Sequence, residues 1–137
     1  MRKLARLFGF ASIIFVLIYS CSSETDNKII GTWKFRDIKE IKADTIQGMS
    51  PQDIELMKSR ATYVFRRNKT YKLNLINYVD EGQWFISENG AALNMRSEKT
   101  NALGRATIRE LTDKKLVLVI QISPGYQQVL ELEKLYK

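Results

Sequence analysis

The chain has 137 residues, with 22 lysines and arginines against 15 acidic residues, no histidine and a single cysteine. That length supports one domain with one core. A lone cysteine excludes an internal disulfide, and the lack of histidine removes the side chain best suited to proton transfer at neutral pH.

The first segment reads as an address. Arg2, Lys3 and Arg6 precede an apolar run, Phe8–Tyr19, which ends in Ile18-Tyr19-Ser20-Cys21. The run is little more than half the ~20 residues that a membrane-spanning helix needs. A basic start, a short apolar stretch and a small residue before cysteine form a bacterial export signal with a lipobox. Residues 1–20 are therefore expected to be removed, with Cys21 as the site of lipid attachment, including palmitate, and the mature chain tied to a membrane of the cell envelope. Ser22 is not the aspartate associated with inner-membrane retention, which points to the outer membrane of a Gram-negative cell. Residues 21–28, mostly short and polar, read as the lipidated cysteine and a flexible tether, leaving 29–137 as the folded domain.

Beyond the tether the pattern has mostly period two. In Gly31-Thr32-Trp33-Lys34-Phe35-Arg36 the aromatic residues share one face and the basic residues the other, as in a half-buried strand. Ile38 and Ile41 break that parity, which predicts a bulge or the strand's end nearby. Met49–Arg60 is the one helix candidate: Ser50 suits an N-cap, Pro51 the first helical position, and Asp53 puts negative charge in the first turn.

Strands are then expected at Thr62–Arg67 and Thr70–Tyr78 around an Asn68-Lys69 turn. Two more are expected at Gly82–Ser87 and Ala91–Arg96 around Asn89-Gly90. Arg105–Leu111, Leu116–Ile122 and Gln127–Tyr136 complete the set. Eight antiparallel strands with one short helix between the first and second predict an all-β, up-and-down barrel, because closure removes both edges. Leu116–Ile120 is apolar on both faces, so the helix is expected either to cover its outer side or to cap an open end.

At Gly31-Thr32-Trp33 the chain resembles the lipocalin family and its calycin relatives, whose first strand opens with Gly-x-Trp. It is similar in particular to small lipocalin-like lipoproteins of Bacteroidetes. There a lipobox is followed closely by the Gly-x-Trp strand, a hairpin like Tyr63–Tyr71, and a second Gly-x-Trp, here Gly82-Gln83-Trp84. The resemblance spans about Ile29 to Tyr136. It implies an eight-stranded barrel closed at its base by Gly31 and Trp33. Larger lipocalins also place an arginine from near the last strand across the base tryptophan, where this chain offers Lys134 and Lys137, and carry a mid-chain Thr-Asp-Tyr turn that this chain lacks.

Alternation selects the residues facing inward. Trp33, Phe35, Leu130 and Leu132 belong to that set. The candidates for a ligand-binding lumen are Tyr63, Phe65, Tyr71, Leu73, Trp84, Ile86, Leu93, Met95, Ile108, Leu118 and Ile120. Such a lumen suits a small, mainly apolar ligand. The carboxylates Asp80-Glu81, read as a turn beside Gly82, and Glu131/Glu133 are expected to face solvent. The basic stretch Arg60, Arg66, Arg67, Lys69 and Lys72 is read as a solubilising hairpin tip. With Cys21 given to lipid, thiol nucleophiles and cysteine-containing zinc sites drop out. Nothing calls for a cofactor or metal, and an enzyme is not expected. Nucleic acid is not expected as a partner, since the charges are interspersed and the address is outside the cytoplasm. The rival to ligand binding is a protein-interaction barrel with a filled lumen, an accessory subunit, inhibitor or immunity-type protein bound to another envelope protein.

Overall fold

The computed structural model describes residues 20–41 and 50–135. Most of the export signal, Met49, Tyr136 and Lys137 lie outside these residues.

Eight strands form a closed antiparallel barrel in simple chain order: β1 (Gly31–Ile41), β2 (Thr62–Phe65), β3 (Thr70–Leu75), β4 (Tyr78–Ser87), β5 (Ala92–Ser97), β6 (Leu103–Leu111), β7 (Lys115–Ser123) and β8 (Tyr126–Lys134). β1 pairs with both β2 and β8, so no edge is left unpaired. The parity break in β1 is a bulge. Phe35 pairs with Leu132 and Asp37 with Glu131, and the additional residue, Arg36, turns Ile38 back into the core.

Among the described residues, two α-helices flank the barrel. α2 (Pro51–Arg60) begins as its sequence predicts: the Ser50 hydroxyl accepts from the Asp53 N–H at 3.1 Å and donates to the Asp53 carboxylate at 2.8 Å. It packs on β1 and β3 at the end of the barrel where the β3–β4 and β5–β6 turns lie, which decides between the two placements left open for it. The outer side of β7 is covered differently. Val117 and Val129 are buried among the outward side chains of Lys39, Arg109, Lys115 and Glu131, whose hydrocarbon stems shield them while the charges stay wet.

The other helix, α1 (Ser20–Ile29), lies where a flexible tether was expected. Its polar composition hides three anchors. Ile29 is fully buried, Asp26 pairs with Lys69, and the backbone carbonyls of Lys28 and Ile29 accept hydrogen bonds from the barrel. The helix is held by what the barrel's base offers it, and no hydrophobic periodicity announces that contact.

Two strand limits also differ from the sequence reading. The β3–β4 turn falls at Ile76-Asn77, earlier than Asp80, so Asp80 belongs to a strand. The β2–β3 connection spans Arg66–Lys69, with Lys69 at φ 68 and the Asn68 carboxamide accepting from the Thr70 N–H and hydroxyl.

Candidate functional site: a one-ended barrel cavity

One end of the barrel is sealed by its two tryptophans. Trp33 is fully buried and donates its indole N–H to the Ile29 carbonyl at 2.8 Å. The Lys134 ammonium sits 4.9 Å from the centre of the Trp33 ring and donates to the Lys28 carbonyl at 2.9 Å. A lysine thus occupies the position that the resemblance assigns to an arginine, and it combines a cation–π contact with a backbone anchor. Burial pushes its pKa below the usual lysine range, the negative charge of Asp113 opposing the shift. Gly31, at φ +142, leaves room for this lysine: a Cβ there would lie 3.0 Å from its Cε.

Trp84 closes the other half of the base. Its indole N–H donates to the Arg66 carbonyl at 3.1 Å, and its ring meets Phe65 edge-on at 5.9 Å. The Lys69 ammonium lies 4.3 Å from the Trp84 ring centre while pairing with Asp26 of α1. The basic stretch is therefore not one surface. Lys69 belongs to the base, Lys72 pairs with Glu81 at 3.5 Å, and Arg60 ends α2 at the opposite end of the barrel.

Above this floor the barrel holds a cavity of about 510 Å³, within the range of small-molecule sites. Of the residues expected to line the lumen, Tyr63, Phe65, Tyr71, Leu73, Leu93, Met95, Leu118 and Ile120 surround it. Trp84, Ile86 and Ile108 do not. Trp84 is part of the floor, and Ile86 and Ile108 pack against the core away from the cavity. Their inward parity is right, but their level on the barrel is wrong, and alternation carries no information about level. Leu130 and Phe35 also line the cavity, as do Ile38, brought in by the β1 bulge, and Met57, which reaches in from α2.

The polar exceptions are few and cluster near the mouth. Asp80 pairs with Leu73 across β3–β4 and so faces inward. This corrects its expected place in a solvent-exposed turn. Its Oδ2 accepts from the Tyr71 hydroxyl at 2.8 Å and its Oδ1 from the Ser97 hydroxyl at 2.7 Å. Burial, then the hydrogen bond to Asp80, hold the Tyr71 pKa far above the usual phenol range. Gly82 makes the group possible. A Cβ at that position would fall 1.8 Å from the Arg96 carbonyl oxygen and 3.0 Å from the Tyr71 ring, so only glycine lets Tyr71 lie flat over β4.

Period-two counting back from Trp84 through Gly82 would have placed Asp80 and Tyr78 inside. The polar pair Asp80-Glu81 beside a glycine reads as a turn and masks that signal. Deeper in the cavity the Tyr63 hydroxyl has no hydrogen-bond partner among the described residues, and burial pushes its pKa up to about 12. Glu131 and Glu133 face outward as expected, in ion pairs with Lys115 at 3.3 Å and Arg36 at 3.4 Å. Among the described residues no group of three metal-binding side chains comes together. Cys21 falls in the first turn of α1, the helix whose C-terminal half is bound to the sealed base.

A closed eight-stranded barrel with one sealed base, a helix between β1 and β2 at the mouth, and an apolar lumen is a lipocalin-like fold. Solved structures that share it include two from one organism. One is a lipocalin-like protein from Bacteroides uniformis ATCC 8492, with TM-score 0.52 and 12% identity over 79% of this chain and 99% of that one. The other, a protein from the same organism solved by NMR, gives TM-score 0.50 and 18% identity over 82% of this chain and 93% of that one. At such identities the likeness is one of fold. No protein-family model matches the chain, and no curated protein matches it.

Proposed function

We propose that this protein is a non-catalytic binding barrel that captures a small, mainly apolar molecule, held to the envelope by a lipid on Cys21. The observation that carries the reading is the cavity itself. About 510 Å³ of space is walled largely by aromatic and aliphatic side chains, with polar groups at a few points, most of them near the mouth. A barrel whose only task was structural would fill that volume with side chains, because an unfilled apolar space forfeits packing. The export-signal pattern supports the anchor, and the outer membrane is the proposed destination.

Lipid extraction and native mass spectrometry of protein beginning at Ser22 test the binding reading. A copurified apolar molecule, or uptake of an uncharged apolar dye displaced by lipid extract, is the expected result. A barrel that stays empty and refuses the dye would remove the reading.

Exposed apolar side chains near the mouth support a second reading, a protein-binding module. Tyr78, Val79 and Leu103 are 48%, 40% and 49% exposed, and the Lys99 ammonium, which donates to the Val79 carbonyl at 2.7 Å, ties the β5–β6 loop to that rim. Recovery of a single envelope protein with a chain tagged at Lys137, lost on Tyr78→Ser, would favour that reading.

A further inference from the structure

We propose that the cavity selects an apolar ligand with a cationic head group, a long-chain amine above all, and that Asp80 receives that head. The proposal rests on the ligand-binding reading above and specifies the ligand class for the same site.

The case begins with what Asp80 lacks. Each carboxylate oxygen accepts one hydroxyl, from Tyr71 and from Ser97. A carboxylate offers about four lone-pair sites, so acceptor capacity remains. Among the described residues no lysine or arginine lies within ion-pair distance of it. The nearby cations are committed elsewhere: Lys72 pairs with Glu81, and Lys99 donates to the Val79 carbonyl while lying 5.1 Å from the Tyr78 ring centre. Arg105, on β6 opposite Asn94, borders the cavity, but its guanidinium is held in an ion pair with Glu88. A carboxylate that faces an apolar cavity with acceptor capacity to spare can be completed by a ligand cation through a charge-assisted hydrogen bond.

The position also fits. Asp80 and Ser97 lie at the mouth ends of their strands, and Phe35, Phe65, Leu93 and Leu118 line the cavity toward the floor. A ligand entering tail first would leave its head level with the Tyr71–Asp80–Ser97 group. A fatty acid in the same pose would set a carboxylate against Asp80 with no cation between them, and two like charges side by side repel. A fatty alcohol would donate one neutral hydrogen bond and fall between the two.

The test is a matched series, decylamine, decanol and decanoate, titrated at neutral pH and low salt into protein beginning at Cys21, which contains every element of the barrel. An uncharged naphthylamine dye serves as a probe of the apolar cavity. Decylamine is expected to bind about tenfold or more tighter than decanoate, the size of one charge-assisted hydrogen bond. Asp80→Asn, its folding verified by thermal unfolding, is expected to bring the two to near parity. Equal affinities, or a preference for decanoate, with the dye still bound would overturn the head-group assignment and leave the apolar-ligand reading standing. Failure of the dye and all three ligands would overturn both. The wild-type ranking decides the matter even if Asp80→Asn does not fold.

Discussion

Trp33 and Tyr63 show how single residues divide the labour between base and cavity. Trp33 is fully buried, hydrogen-bonded to α1 and covered by Lys134, so its role is packing. Trp33→Ala is expected to lower stability by about 3–5 kcal/mol in denaturant unfolding. A variant of full stability that lost ligand affinity would contradict that role. The Tyr63 hydroxyl is in a buried setting with no hydrogen-bond partner among the described residues, and its pKa rises from 10.0 to about 12. Between those two pH values the unfolded chain loses the proton and the folded chain keeps it. The Tyr63 contribution is thus present in full below pH 10 and is lost as pH climbs toward 12. Two pH units correspond to about 2–3 kcal/mol. Urea midpoints measured across that window should fall steeply for the native chain and less steeply for Tyr63→Phe. A residual slope from Tyr71, whose pKa is raised in the same sense, is expected to remain.

At the scale of elements, α1 is the part that composition conceals. Its residues are short and charged, yet it completes the floor by offering Ile29 to the core and two carbonyls to the side chains of Trp33 and Lys134. Ile29→Ala should cost about 2–5 kcal/mol, as for other buried aliphatic truncations. It should also raise the solvent accessibility of Trp33, read by acrylamide quenching. A change at Ile29 with no effect on stability or quenching would show that the helix is not part of the closed barrel. The opposite case is α2, whose cap, proline and first-turn aspartate are all local signals. Its limits were readable for that reason, since helix ends are governed by groups within one turn of each other. Its place at the mouth was not readable, because local signals do not say which neighbour a helix will meet.

For the whole molecule, the sealed base and the open mouth give the barrel a direction. α1 runs into the base and Cys21 stands in its first turn, so an acyl chain at Cys21 would put the floor toward the membrane and the mouth away from it. Cys21→Ala is expected to abolish lipid modification, seen as lost labelling with a fatty-acid analogue, and to release the barrel from membranes. Unchanged labelling and membrane partition in that variant would refute the anchor.

The alternation of Trp33, Phe35, Tyr63, Phe65, Tyr71 and Leu73, punctuated by turn residues, was enough to specify eight strands, one helix and a closed barrel. Period two and turn chemistry are properties of neighbouring residues, and the chain carries them in order. Three features depended on contacts between distant segments: the level of each inward residue along the barrel axis, the helix that seals the base, and the hydrogen bonds that gather on Asp80. Level follows from register between strands, which is why Trp84 became floor and Ile38 became wall. Asp80 faces inward by the parity of its own strand, but Tyr71 reaches it only because Gly82 leaves room for the ring. That encounter between β3, β4 and β5 exists only once the sheet has closed.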